Sequence, residues 1–294
     1  MRMKYIAQIQ GRLRQYRTIP TNKASSQLLD GSYRSVYKGR SMNFDELREY
    51  VVGDDIKDVD WKASARSQKL LVKQYIAEKK HNIMLVMDTN KRMLADTGQG
   101  QEKREVALYA AGTLAYLVNQ NGDYTSAMYA AGELMQHFPF KTGLFHIENI
   151  LEQYHHSVTM ENTSDLNRTL EYITRHFRRK MILILVTDVE GIRKISDSTL
   201  KRLLVMHDVL VMQVSDAVML GENVYNLEED SYLPKFITED KRLAKKQAKR
   251  WETMYAEAMD KLKRFGIAVA TIHHTRELEC TIIQLLEKHK GEKR

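Results

Sequence analysis

The sequence lacks the features that define several common protein classes. Its single cysteine, Cys280, cannot form a disulfide within the chain, and no cysteine or histidine occurs in the CxxC or HxxxH pairs typical of zinc sites. No apolar run approaches the ~20 residues needed to cross a bilayer, and the opening residues lack the continuous apolar core of a secretory signal. These absences predict a cytoplasmic protein without a transmembrane segment.

Nucleotide-binding motifs are also absent. Neither the GxxxxGK[ST] motif of P-loop ATPases nor the GxGxxG motif of dinucleotide-binding domains occurs. We therefore expect any associated ATPase activity to belong to a partner. What the chain does have is 294 residues with 43% hydrophobic content, which is enough to bury a sizeable core.

The positive charge is concentrated at the N-terminus. The net charge is +8, and residues 1–29 hold six Lys or Arg and no acid, so the rest of the chain carries +2 (8 − 6). Ile6, Ile9, Leu13 and Tyr16 recur there at helical spacing between cations, which predicts a basic amphipathic helix. Such a helix could contact RNA, an anionic membrane or an acidic partner, or it could pack on its own domain.

Beyond residue 80, apolar runs alternate with amphipathic stretches, a pattern that indicates an α/β domain with helices on both faces of a mostly parallel sheet. The turn signal AAGE predicts that the second and third strands form a hairpin. The predicted strands are Ile83–Asp88, Tyr124–Ala130, Leu134–Phe138, Met181–Asp188, Val209–Val214 and Ile267–Thr271. The predicted helices are Glu102–Asn119, Leu144–Tyr154, Asp165–Phe177, Asp197–Met206, Asp240–Phe265 and Arg276–His289.

Oxygen-bearing side chains follow three of these strands. Two strands end on aspartate, at Asp88 and Asp188, and Thr142 comes just before a helix after the third strand. Ligands of doubly wound sheets bind where strand ends and helix N-termini converge. The three side chains therefore form a plausible hard-cation arrangement, although two aspartates that cap helices and terminate strands would give the same pattern.

The segment GDDIKDVDWKASAR, residues 53–66, combines clustered carboxylates with a tryptophan and flanking cations. A two-metal nuclease site is one interpretation, but Asp54 and Asp55 are sequence neighbours that point in different directions, and no histidine base is present. We favour a scaffold in which Asp54 and Asp55 bind backbone N–H groups and Asp60 pairs with Arg48 or Arg66. Trp61 is predicted to bury its ring beneath the following strand.

The region from Gly31 to Arg66 resembles a bacterial family of von Willebrand factor A-like proteins of unknown function, usually found alongside MoxR-type AAA+ ATPases. The matching positions are Gly31, Ser35, Gly39, Phe44, Arg48, Tyr50, Gly53, Asp54, Asp55, Asp60, Trp61, Ala65 and Arg66. The similarity is good from Gly31 to Val189 and then fades into a generic α/β pattern. It implies a Rossmann-like A domain that binds a protein partner and does not turn over a substrate.

The resemblance also implies a metal-binding loop. In A domains a D-x-S-x-S loop, a Thr and a second Asp hold a divalent ion, and the matching positions here are Asp88, Asn90, Arg92, Thr142 and Asp188. Arg92 replaces a ligand, because a guanidinium has five donors and no acceptor. Either Arg92 neutralises the two aspartates as an internal ion pair, or it points to solvent and Mg²⁺ binds through Asp88, Thr142 and Asp188.

Two functions are therefore expected from the sequence. The first is a non-enzymatic adaptor that works with a MoxR-type ATPase on an unknown client. The second is a basic module that engages RNA or an anionic membrane through residues 1–29. The expected domains are a basic arm (1–30), a signature segment with β structure (31–80) and an A-like domain (81–294).

Overall fold

The structure is a computed structural model that describes residues 3–18, 46–54, 56–74, 80–216, 225–226, 231–232 and 241–292. The described strands are β1 Glu46–Glu49, β2 Leu71–Gln74, β3 Asn82–Met87, β4 Tyr124–Ala131, β5 Leu134–Lys141, β6 Ile182–Thr187, β7 Asp208–Val214, β8 Tyr225–Asn226, β9 Ser231–Tyr232 and β10 Ala268–Ile272. The described α-helices are α1 Lys4–Thr18, α2 Trp61–Ser67, α3 Lys103–Gln120, α4 Leu144–Ser157, α5 Leu166–His176, α6 Val189–Lys194, α7 Asp197–Met206, α8 Lys241–Arg264 and α9 Leu278–Glu292.

A six-stranded sheet forms the centre of the molecule, in the order β10-β7-β6-β3-β4-β5. Strands β10, β7, β6, β3 and β4 are parallel, and β5 pairs antiparallel with β4 at one edge. If the six strands of this sheet are numbered 1 to 6 in chain order from β3 to β10, their order starting from β5 is 3-2-1-4-5-6. This is the arrangement of doubly wound α/β folds. The predicted fold class is confirmed.

The hydrophobic core has two layers because successive residues of a buried strand point to opposite faces of the sheet. In β3, Ile83, Leu85 and Met87 pack on one face, with helices α1, α3, α4 and α9. Met84 and Val86 pack on the other face, with α5, α6, α7 and α8. Runs such as ILILVT in β6 are buried at every position, as expected for a strand covered on both faces.

The six strands and six helices predicted beyond residue 80 are all present, with ends that differ by at most three residues. The β4–β5 hairpin is confirmed as well, and Gly132 takes a positive φ of 63° at its turn. Helices α2 and α6 were not predicted, because their short sequences carry no full helical period. The small antiparallel pair of β1 and β2 confirms β structure before the main domain.

The predicted N-terminal helix is present as α1, and its apolar side packs against α3 and α4. Ile6 and Ile9 are fully buried, and Arg12 lies over the ring of Tyr109 at 4.1 Å. Gly112 of α3 permits this close packing, since an added Cβ would lie 2.5 Å from Ile9 Cδ1. The described apolar face of α1 is thus occupied within the protein. Binding of residues 1–29 to nucleic acid or membrane stays a prediction. The three domain boundaries also stay predictions.

A buried carboxylate from another helix caps the start of α1. Glu148 of α4 is 1% exposed and accepts hydrogen bonds from the backbone N–H groups of Lys4, Tyr5 and Ile6 at 2.6, 2.9 and 2.8 Å. These are among the N–H groups that have no partner within a helix, and a negative charge at that end is favourable. Glu148 therefore fixes α1 to the domain.

Replacing Glu148 by alanine is expected to lower the free energy of unfolding by about 2–4 kcal/mol, because three N–H groups lose a charged acceptor. Urea unfolding monitored by circular dichroism measures the loss. Glu152→Ala, one turn further along α4, is the matched control and should change stability by less than about 0.5 kcal/mol. Equal effects of the two substitutions would contradict the capping role.

Candidate functional site

Three aspartates follow three neighbouring strands at the carboxyl edge of the sheet. Asp88 follows β3, Asp188 follows β6, and Asp216 lies two residues beyond β7. Two cations reach the same place: Arg92, from a 3₁₀ turn at Lys91–Leu94, and Lys103, the first residue of α3. We call these five residues the strand-end cluster.

The strand-end cluster is a continuous chain of ion pairs. Arg92 donates from Nη2 to Asp88 Oδ2 at 3.2 Å and from Nε to Asp188 Oδ2 at 3.3 Å. Lys103 Nζ donates to the same oxygen of Asp188 at 3.0 Å and also pairs with Asp216. The side chains of Arg92 and Lys103 are only 9% and 3% exposed, so water does not screen these pairs effectively.

The remaining acceptor positions of Asp88 are also occupied. Its Oδ1 accepts from Asn90 N at 2.9 Å, and its Oδ2 accepts from Thr187 Oγ1 at 2.7 Å. The side-chain oxygen of Asn90 accepts from Arg92 N at 3.1 Å and so caps the 3₁₀ turn. Asp188 Oδ1 likewise accepts from Gly191 N at 2.8 Å and caps α6. Helix capping by Asp188 therefore coexists with its ion pairs.

Electrostatics distinguish the two central carboxylates. Burial raises the pKa of Asp88, and the positive charge of Arg92 offsets this rise only in part. Asp188 is equally buried, but Lys103 and Arg92 together overcome the effect of burial and hold its pKa well below the usual range. Burial lowers the pKa of Lys103, yet Asp188 and Asp216 outweigh that effect and raise it to about 12. Lys103 is thus a permanent cation beside Asp188.

Thr142 lies away from this cluster, which corrects the predicted ligand set. Because β5 runs antiparallel, its end at Lys141 lies opposite Thr125, at the beginning of β4. Thr125 in turn pairs with Ile83, which precedes Asp88 by five residues along β3. At about 3.3 Å per residue, Thr142 is at least about 17 Å from Asp88 along the strand direction.

The residues present do not fit the divalent ion that the family resemblance implies. Arg92 and Lys103 donate to the carboxylate oxygens that would coordinate Mg²⁺, the Asn90 oxygen is used by a backbone N–H, and Thr142 is at the opposite edge. Among the described residues, no group of three or more His, Cys, Asp or Glu is arranged to hold a metal ion. The cluster carries its own cations where an ion would lie.

The signature segment forms a compact turn structure before the sheet. Arg48 makes a bidentate pair with Asp54 at 2.7 and 2.6 Å, and Asp54 also accepts from Val51 N at 2.9 Å. Gly53 takes a φ of 115°, which a side chain would disfavour. Asp55 lies outside the described residues. The predicted binding of backbone N–H by Asp54 is confirmed, and its partner cation is Arg48.

Asp60 and Trp61 lie at the start of α2, and Trp61 differs from its predicted role. Asp60 caps α2, accepting from Lys62 N and Ala63 N at 3.1 and 3.0 Å. Trp61 is the first residue of α2, and it is 63% exposed, so the prediction that its ring is buried is wrong. The cap begins the helix at Trp61, whose side chain stays exposed. Arg66 lies in the last turn of the same helix.

Sequence reasoning missed three residues of the site. Thr187 directly precedes Asp188, and Asp216 follows β7 much as Asp88 follows β3, so both could have been found from strand-end positions. Lys103 has no comparable signal, because it lies on a helix 15 residues after Asp88 and reaches the cluster only through the fold.

Comparison with known proteins gives the family. Residues 46–220 match the family described as "Protein of unknown function DUF58". "Uncharacterized protein Rv1480" of Mycobacterium tuberculosis (strain ATCC 25618 / H37Rv) and "Uncharacterized protein Mb1516" of Mycobacterium bovis are each 28% identical over 195 residues. The matches cover 64% of this chain, which spans only 60% of the length of these relatives.

Solved structures with low similarity include BatB from Bacteroides thetaiotaomicron, at 16% identity and a TM-score of 0.41, covering 72% of this chain and 99% of that one. A von Willebrand factor type A protein from Catenulispora acidiphila shows 11% identity and a TM-score of 0.39, covering 75% and 44%. No helix of the described residues is long and apolar enough to cross a membrane. By the match over residues 46–220, the chain belongs to the DUF58 family of unknown function.

Proposed function

We propose that this protein is a non-enzymatic adaptor that binds a partner protein through its signature segment, and that the partner is a MoxR-type AAA+ ATPase. The observation that carries the proposal is a set of exposed apolar side chains in residues 51–70 of that segment. We call it the signature patch. Its members and their exposed fractions are Val51 62%, Val52 95%, Ile56 64%, Trp61 63% and Leu70 43%.

The signature patch is exposed and also held in place. The Arg48–Asp54 pair fixes the turn that carries Val51 and Val52, and Asp60 fixes the start of α2 at Trp61. Burying large apolar side chains lowers the free energy, and a backbone that is already fixed loses little conformational entropy on binding. Tryptophan is also among the residue types enriched at the centres of protein interfaces.

The strand-end cluster supports the same proposal by exclusion. In an A domain with a metal, the open coordination position takes a carboxylate of the partner. Arg92 and Lys103 are buried and already paired with aspartates, so neither offers a free charge to a partner's carboxylate. A partner is therefore expected to bind at a different surface, and the signature patch is the one we propose.

The test is a binding measurement between the purified full chain and a MoxR-type ATPase from the same organism. Trp61→Ala is expected to weaken the complex about 30-fold or more, which corresponds to about 2 kcal/mol for an interface anchor. Phe145→Ala is the matched control, because Phe145 is an aromatic residue with the same exposed fraction of 63% outside the patch.

Two results would contradict the proposal in different ways. Absence of measurable binding by the wild type would exclude this class of ATPase as the partner. Binding that both substitutions weaken equally, or that neither changes, would remove the signature patch as the docking surface. Thermal melts of both variants confirm that the fold is retained.

A further inference from the structure

A group of cations lies at the amino edge of the sheet, opposite the strand-end cluster. We call it the basic edge, and it consists of Lys80, Lys141, Arg178, Arg179 and Lys180, all of which are exposed. Lys80 leads into β3, and Arg178 to Lys180 lead into β6. Lys141 joins them because β5 is antiparallel and ends at this edge.

The sheet places these cations side by side. Strands β6, β3, β4 and β5 are consecutive neighbours, and Ile83 pairs with Ile182, so Lys80 and Lys180 enter adjacent strands. With about 4.8 Å between neighbouring strands, the basic edge extends over about 14 Å. Cations from three separate parts of the chain therefore form one surface.

Local structure accounts for only part of these charges: Lys80 Nζ lies 5.2 Å from the centroid of the Tyr124 ring. Cations in the last turn of a helix interact favourably with the helix dipole, which explains Arg175 in α5. The residues of the basic edge lie outside helices. Within the described residues, Lys180 pairs with Asp208 at 3.6 Å while 73% exposed, and neither Arg178 nor Arg179 forms an ion pair.

Exposed apolar side chains flank the basic edge. Val205, in the last turn of α7 before β7, is 84% exposed, and Phe145, in the first turn of α4 after β5, is 63% exposed. A nucleic acid rewards aromatic stacking and phosphate contacts but offers little to an exposed valine. The interface of a bilayer accepts aliphatic and aromatic side chains next to cations that contact anionic headgroups.

We infer that the basic edge is a binding surface for a bilayer that contains anionic phospholipids, which orients the protein with the strand-end cluster facing away from the lipid. The contact is peripheral and electrostatic, with Val205 and Phe145 entering the headgroup region. It is independent of the proposed partner, because it involves no residue of the signature patch.

The test is flotation of the full chain with vesicles of phosphatidylcholine and phosphatidylglycerol, compared with vesicles of phosphatidylcholine alone. The wild type is expected to bind only the anionic vesicles, and added salt should release it. The triple variant R178E/R179E/K180E is expected to lower the partition coefficient by at least about tenfold. Adding Val205→Ser to this triple variant should lower the partition coefficient further.

The matched control is the triple variant K245E/K246E/K249E, which changes the net charge equally. These residues are exposed on α8, whose last residue, Arg264, leads into the start of β10 at the amino edge of the sheet. The nearest of the three, Lys249, is 15 residues from Arg264, or about 22 Å along the helix. Equal losses in both triple variants would show that net charge alone causes binding. No preference for anionic vesicles, or binding of a fluorescent RNA oligonucleotide without binding of vesicles, would overturn the inference.

Discussion

Replacing Arg92 by alanine is expected to lower the free energy of unfolding by about 3–5 kcal/mol, because the substitution leaves two buried carboxylates without the cation they share. Arg92 bonds to Asp88 at 3.2 Å and to Asp188 at 3.3 Å, and both aspartates are 1–2% exposed. Lys103 still neutralises Asp188, so Asp88 bears most of the loss. Urea or guanidinium unfolding at neutral pH measures it.

The double variant R92A/D88N tests the origin of this loss. Removing the charge of Asp88 along with its cation should restore part of the stability. The introduced amide keeps an oxygen for the Asn90 N–H, and its NH₂ group can donate to the Thr187 hydroxyl. Lys91→Ala, in the same 3₁₀ turn, is the control and should cost less than about 0.5 kcal/mol. A loss below about 1 kcal/mol for Arg92→Ala would mean that Arg92 does not neutralise the cluster.

Gly191→Ala is expected to destabilise the protein by about 2–4 kcal/mol, although alanine is the better helix former. Gly191 lies in α6 directly against the cluster. A Cβ atom there would overlap Thr187 Oγ1 and lie 2.7 Å from Asp88 Oδ2. Either Thr187 rotates and loses the 2.7 Å hydrogen bond that it donates to Asp88, or α6 shifts and strains the 2.8 Å bond from Gly191 N to Asp188 Oδ1. Urea unfolding measures the change.

A glycine without close neighbours provides the control for this substitution. Gly11 is an exposed position within α1, and a Cβ added there would meet no neighbouring atom within 4 Å, so Gly11→Ala should raise stability by about 0.5–1 kcal/mol. The opposite signs of the two effects separate steric crowding from helix propensity. In the double variant G191A/T187A the steric cost should fall, and a double variant no more stable than Gly191→Ala would refute the proposed overlap.

The fold could be predicted from the sequence because the strands are continuous apolar runs that end at polar residues. The run NIMLVM followed by aspartate and the run ILILVT followed by aspartate both fixed the strand ends, and so placed Asp88 and Asp188 together. Their adjacency follows from strand order, which the doubly wound pattern implies. The interpretation of Arg92 as an internal partner of both aspartates agrees with the ion pairs in the structure.

Other residues could not be placed from sequence, or were placed wrongly. Thr142 was assigned to the carboxyl edge although the hairpin predicted for β4 and β5 reverses the strand that precedes it. Lys103 reaches the cluster only because α3 begins there, which no local pattern reveals. The residue type of Trp61 predicts burial, whereas Trp61 begins the short helix α2 and is 63% exposed.

Arg92 and Lys103 lie between the strand-end aspartates, where a divalent ion would otherwise neutralise the carboxylates. Isothermal titration calorimetry of the wild type with Mg²⁺ and with Mn²⁺ tests whether these cations replace the ion. We expect no binding heat and no change in the melting temperature with either ion. Saturable binding of one ion per chain that Asp188→Ala abolishes would contradict this expectation.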